Sequence, residues 1–390
     1  MHVRGSGAGG RVTRADVEQA ATARTIRAAL LEAPNKPLVI VDDVEIRAPL
    51  VGEVRVQVKH CGLCHSDLSI INGSFPAGLP IVLGHEASGI IDAVGPGESR
   101  LAPGDRVVLT PCPPCGNCYW CVRNEHSLCV NIASLMTNTL PDGSTGLSRN
   151  GEPVFRGLGV GAFGEYVITP STGAIKIPDD VPLDVACVLG CAVQTGVGAA
   201  LNTANITEGD TVLVMGLGGV GMSVVQGARL AGASKIFVSD PVAERRETAR
   251  KFGATHLIDP TEIEDVASHV ISMTEVGVDH AFEAAGVGSL TEVGIAATRN
   301  GGTIVMVGAP PLSDVVTLMP SLMVIQQKKL TGCTLGSCNS LHEIPRMIGL
   351  YQADRLDLEG LITMRRPIEE INEAAEDLTA SRGIRTVLNF

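Results

Sequence analysis

"DTVLVMGLGGVGMSVVQGARLAGASKIFVSD", residues 210–240, reads as strand, glycine loop, helix and strand. A β-branched run leads into Gly216, Gly218 and Gly221, which spell G-x-G-x-x-G. "GVGMSVVQGARLAG" has helical spacing, and "ASKIFVSD" returns as a second strand ending at Asp240. A phosphate-binding loop needs that order: a buried strand, then a helix whose first N–H groups face an anion, then an acidic residue about twenty positions on. Gly216, Gly218, Gly219, Val220 and Gly221 are therefore the candidate dinucleotide loop. Asp240 lies nineteen residues past Gly221. Its carboxylate would accept hydrogen bonds from the adenosine ribose and repel a 2′-phosphate, which favours NAD over NADP. The stretch predicts an α/β fold with a doubly wound parallel sheet.

A second G-x-G-x-x-G, at Gly5, Gly7 and Gly10 in "VRGSGAGGRVTRADV", lacks this setting. Four residues are too few for a leading strand, "RVTRADVEQAA" is polar, and the residue twenty past Gly10 is Leu30. Residues 1–23 instead resemble the second half of a peripheral subunit-binding domain of 2-oxo-acid dehydrogenase acyltransferases. Half of so small a domain should not fold alone. It reads as a fusion or start-site remnant, with tethering to a 2-oxo-acid dehydrogenase complex as the alternative.

The chain has 390 residues, enough for two domains, and its 45 glycines with 3% aromatics suit buried parallel strands. A net charge of −12 with no basic stripe argues against a nucleic-acid partner. No apolar run is long enough to span a bilayer, and no signal-peptide core is apparent, so a cytoplasmic protein without membrane contact is expected. In a reducing compartment the eleven cysteines need another purpose than disulfides.

Five of them, Cys112, Cys115, Cys118, Cys121 and Cys129, crowd into eighteen residues. Cys115, Cys118, Cys121 and Cys129 form a C-x2-C-x2-C-x7-C run, suited to a closed, structural zinc site. Cys112 is the alternative first ligand, although the prolines around it stiffen its backbone. An iron–sulfur cluster is the other chemistry such thiolates serve. Three further pieces, "HCGLCHSDLS", "VLGHEASG" and "VLGCAVQTGVG", each present a metal donor near the end of an apolar run. Cys64, His85 and Cys191 would make a Cys2His zinc site with one open position, as catalytic zinc requires.

From about residue 24 to Phe390 the chain resembles the zinc-dependent alcohol dehydrogenases of the medium-chain dehydrogenase/reductase superfamily. "GHEASGIIDAVG", "PGDRVV", the cysteine lobe, "TGVGAALNTA", "GLGGVG" and "GIRTVLNF" carry the likeness. The resemblance implies a split, β-rich GroES-like catalytic domain, residues 24–192 and 335–390, around a Rossmann NAD-binding domain, 193–334. It implies two zinc ions per subunit, NAD as coenzyme, and alcohols and aldehydes or ketones as substrates. Asp67 matches a carboxylate that orients the imidazole ligand, and Glu86 an acidic residue behind the metal. Ser66 matches the hydroxyl that accepts the alcohol proton. Thr195 matches a residue beside the nicotinamide, His65 and Arg385 contacts to the pyrophosphate, and Arg245 a basic residue near the adenosine ribose.

Departures from the family pattern are informative. Ser69 stands where some relatives complete a proton relay with histidine, so the proton is expected to exit through water. Pro111 replaces a channel-narrowing aromatic. Ala133 stands where glutathione-dependent formaldehyde dehydrogenases carry an anion-binding arginine, which weakens the alternative of a formaldehyde or thiol-adduct substrate. Segment 131–165 resembles an insertion of dimeric relatives and predicts a homodimer.

Overall fold

A computed structural model of the chain describes residues 22–390. The first glycine pattern, and with it nearly all of segment 1–23, lies outside those residues. The described chain forms two compact units: 22–191 with Asn339–Gly349 and Ile362–Phe390, and Ala192–Cys338 with Leu350–Leu361. The second unit thus takes in residue 192, residues 335–338 and the segment Leu350–Leu361, which the resemblance assigned to the catalytic part. Paired hydrogen bonds hold that last segment in place. The Asp357 N–H donates to Gln226 Oε1 at 2.8 Å, and Gln226 Nε2 donates to the Asp357 carbonyl at 2.9 Å.

The second unit is a six-stranded parallel sheet. Its order is His256–Ile258, Lys235–Ser239, Thr211–Met215, Val278–Glu283, Thr298–Met306, Lys329–Gly332. Val212, Leu213 and Val214 are wholly buried, as expected for a strand covered on both faces. The chain winds outward in both directions from Thr211–Met215, so the strand order reverses beside its carboxyl end, where open α/β sheets bind ligands. The 13-residue helix Gly219–Ala231 begins there and ends at Gly232, whose φ of 86° is a left-handed cap.

The first unit contains two sheets, of seven and six strands, over a core that includes Leu30, Leu31, Ile46, Val54, Val56, Leu83 and Phe163. The strand Glu53–Gly62 pairs antiparallel with both Glu86–Val94 and Arg385–Asn389. The registers set Gly62 opposite Glu86 on one side and Val387 on the other. Three distant parts of the sequence therefore end at one place. Within segment 131–165, the fully buried Arg156 donates to the carbonyls of Gly159 and Val160, at 3.1 and 3.0 Å, and of Ile168. Burial lowers its pKa to about 9, and carbonyls rather than a carboxylate satisfy it. Among the described residues no single helix is long and apolar enough to cross a membrane.

Candidate metal centres and dinucleotide loop

Where the three strands meet, Cys64, His85, Glu86 and Cys191 bring one ligand atom each within 4.8 Å of all the others. Cys64 lies two residues beyond Gly62, and Glu86 faces Gly62 directly. A Cβ on Gly62 would collide with Glu86 Oε2, so glycine lets that carboxylate tuck under the neighbouring strand. The 3-10 turn Cys187–Gly190 leads to Cys191. Ser88 Oγ anchors the short helix before that turn by donating to the Leu183 carbonyl at 2.6 Å.

Asp67 organises this cluster from complete burial. It accepts from the N–H groups of Cys64 and Gly84, both at 3.0 Å, and lies 3.3 Å from His85 Nδ1. That contact commits Nδ1 as the protonated nitrogen and leaves Nε2 for a metal. His85 Nε2 and both carboxylate oxygens of Glu86 are buried without hydrogen-bond partners. Buried polar atoms without hydrogen bonds are costly, and a metal cation among them would reduce that cost.

The protonation pattern agrees with this chemistry. The hydrogen bond between Cys64 and Cys191 dominates both thiols, holding Cys64 well below and Cys191 well above the usual range. Burial opposes the His85 imidazolium, but Asp67 and Cys64 together hold its pKa well above the ordinary value. Burial pushes Glu86 up to about 7 against the pull of Arg385. A metal ion would displace the shared protons, because its ligands must be deprotonated.

Arg385 is 4% exposed, donates from Nη1 to the Leu63 carbonyl at 2.7 Å, and sets Nε 3.5 Å from Glu86 Oε2. Its charged partner is Glu86, a link absent from the sequence-based expectation. Ser66 Oγ is 3.8 Å from Cys64 Sγ. His65 is exposed at the start of helix His65–Ile71, and its carbonyl accepts from Ser69 Oγ at 3.1 Å.

The second metal set is Cys115, Cys118, Cys121 and Cys129, again within 4.8 Å. Cys118 Sγ and Cys129 Sγ are 3.9 Å apart. Tetrahedral zinc with Zn–S of about 2.3 Å demands thiolates about 3.8 Å apart, so the spacing fits. Cys129 Sγ accepts from the N–H groups of Cys115 and Asn131, and amide donors lower Cys118 to about 6. Cys112 is buried outside this set, its thiol pushed up to about 12 by desolvation.

In the parallel-sheet unit, a Cβ on Gly221 would run into the Gly216 carbonyl, and Gly216 has φ of 89°. Both glycines are required by close backbone approach. A Cβ on Gly218 would meet nothing within 4 Å. That open space at the N-terminus of Gly219–Ala231 is where a pyrophosphate fits. Gly219 and Val220 form the first turn of that helix. Asp240 is 4% exposed and accepts from the N–H groups of Leu217 at 2.7 Å and Val242 at 2.8 Å, so its carboxylate is fixed beside the loop. Thr195 and Arg245 are both buried, on helices Ala192–Gly198 and Ala243–Phe252.

Two family models match the chain: the alcohol dehydrogenase GroES-like domain over residues 51–179 and the zinc-binding dehydrogenase over 219–353. "Putative alcohol dehydrogenase D" of Mycobacterium tuberculosis is 36% identical over 372 residues, which cover 94% of this chain and 99% of that protein. The crystal structure of an alcohol dehydrogenase zinc-binding domain protein from Burkholderia ambifaria superposes with a TM-score of 0.89 at 35% identity, covering 94% of this chain and 99% of that one. Benzyl alcohol dehydrogenase from Acinetobacter calcoaceticus gives 0.88 at 30% identity over the same shares. Fold, metal-binding residues and relatives define a zinc-binding oxidoreductase. The chain belongs to the zinc-dependent alcohol dehydrogenases of the medium-chain dehydrogenase/reductase superfamily.

Proposed function

We propose that this protein interconverts alcohols with aldehydes or ketones, using two zinc ions per subunit and NAD. The convergence of Cys64, His85, Glu86 and Cys191 on one buried point carries the reading. Zinc held there supplies Lewis acidity toward the substrate oxygen, and NAD supplies the hydride acceptor. Cys64, His85 and Cys191 are the lasting donors. Glu86, which forms an ion pair with Arg385, would be a further donor behind the metal. Asp67 keeps Nε2 of His85 directed at the metal. Ser66 takes the alcohol proton, since a hydroxyl both accepts and donates. With the Ser69 hydroxyl turned back onto the His65 carbonyl, the proton leaves by water. Cys115, Cys118, Cys121 and Cys129 hold the second zinc as a structural ion. Gly216 to Gly221 and Asp240 bind NAD, with Thr195, His65, Arg245 and Arg385 as further coenzyme contacts.

The active form is a homodimer. Support comes from helix Pro320–Gln326, which buries none of its residues although several are apolar, Val324 and Ile325 each being 74% exposed. The adjacent strand Lys329–Gly332 is an open sheet edge. Apolar side chains beside an open edge suit a protein contact. Light scattering should give twice the chain mass; a tetramer would contradict this.

A panel of primary, secondary and aromatic alcohols, benzyl alcohol among them, with their aldehydes, tests the activity. NAD should support turnover far better than NADP. Formaldehyde oxidation that depends on an added low-molecular-weight thiol would displace the reading.

A further inference from the structure

Asp240 has a second acidic residue, Asp259, as a neighbour. Strands Lys235–Ser239 and His256–Ile258 run parallel, with Ser239 opposite Ile258. Asp240 and Asp259 therefore leave the sheet side by side. Arg246, in the first helical turn after Asp240, bridges them. Its Nη1 donates to the Asp240 main-chain carbonyl at 2.6 Å, and its Nη2 donates to Asp259 Oδ2 at 2.5 Å. The two side chains are 13% and 19% exposed, so the pair is largely shielded from solvent. Asp259 is itself fixed: Oδ1 accepts from the N–H of Thr261 at 2.9 Å and from its hydroxyl at 2.6 Å.

The charge balance at this sheet edge follows from those contacts. The Asp240 carboxylate is held by the N–H groups of Leu217 and Val242. The guanidinium that could serve a phosphate is turned to Asp259. We propose that Asp259 is a positioning residue for coenzyme choice: it holds Arg246 on the Asp240 carbonyl, denies that guanidinium to a 2′-phosphate, and keeps the ribose end anionic. The proposal rests on the assignment of Asp240 to the adenosine ribose. Arg245, the preceding residue, is buried and makes contacts of its own. Arginine is suited to both partners, because its planar fork pairs equally with carboxylate and phosphate.

The test is calorimetric titration of the zinc-loaded enzyme with NAD and with NADP. Asp259→Asn keeps an acceptor for Thr261 and removes only the charge. It should tighten NADP about fivefold and weaken NAD about twofold, the scale of a partly screened ion pair. Arg246→Gln should leave NADP binding within about twofold of wild type, since the guanidinium is already engaged elsewhere. Adding Arg246→Gln to Asp259→Asn should abolish the gain for NADP, which a merely structural role of Asp259 would not do. An unchanged preference in Asp259→Asn, a gain that survives in the double variant, or a large NADP loss in Arg246→Gln alone would each overturn the inference. A wild-type enzyme that binds NADP more tightly than NAD would instead refute the NAD assignment; the direction of the Asp259→Asn shift still decides the role of Asp259.

Discussion

Cys64→Ser is expected to lower kcat/KM for alcohol oxidation about a thousandfold, the effect of withdrawing about 4 kcal/mol of electrophilic stabilisation. Serine fits the space but is a poor zinc donor, because its hydroxyl stays protonated where a thiolate would bind. Cys64 is one of the three donors that converge with Glu86 within 4.8 Å, so its loss opens the ligand set. Zinc content should fall by one ion per subunit. NAD affinity should stay within about twofold, since no donor of the glycine loop is touched. Near-native turnover in this variant, measured by NADH formation, would remove the zinc from the reaction.

Cys121→Ser should act on stability instead. The lobe it belongs to is built from short 3-10 turns, Cys121–Arg123, His126–Leu128 and Val130–Ile132, with no sheet of its own. Tyr119 is 64% and Val122 67% exposed, so apolar burial contributes little there. In the proposed structural site four thiolates on one ion would close this loop, and structural zinc of this kind supplies folding free energy directly. Losing a few kcal/mol in a domain of this size lowers the melting temperature by about 10 °C. The variant should melt that much earlier by calorimetry, release the lobe zinc, and become open to proteolysis between residues 115 and 132. An unchanged melting temperature with both zinc ions retained would show the lobe to be self-supporting.

The two halves of the molecule were unequally legible. The parallel sheet and its glycine loop could be read locally, because strand, loop, helix and Asp240 follow one another within thirty-one residues. The lobe was equally local, four thiols at chelating intervals. Spacing alone could not establish the other metal set, since Cys64, His85 and Cys191 are far apart in sequence and are joined by strand pairing and by the turn Cys187–Gly190. The donor types near the ends of three apolar runs suggested that set, and the family resemblance supported it. What no sequence signal marked was pairing within the site. The ion pair of Arg385 with Glu86 depends on the strand Arg385–Asn389 lying beside Glu53–Gly62. The bridge from Arg246 to Asp259 depends on two strands ending in step. Segment Leu350–Leu361 groups with the parallel-sheet unit through similarly distant contacts, its hydrogen bonds to Gln226 spanning more than a hundred residues of chain.

Removing and restoring the metal tests the central claim most directly, with zinc counted alongside turnover at each step. The account predicts two zinc ions per subunit at the outset, loss of alcohol oxidation as a chelator withdraws the ion held by Cys64, His85 and Cys191, and recovery when one equivalent is returned. Fewer than two zinc ions in fully active protein, with turnover indifferent to the chelator, would contradict it.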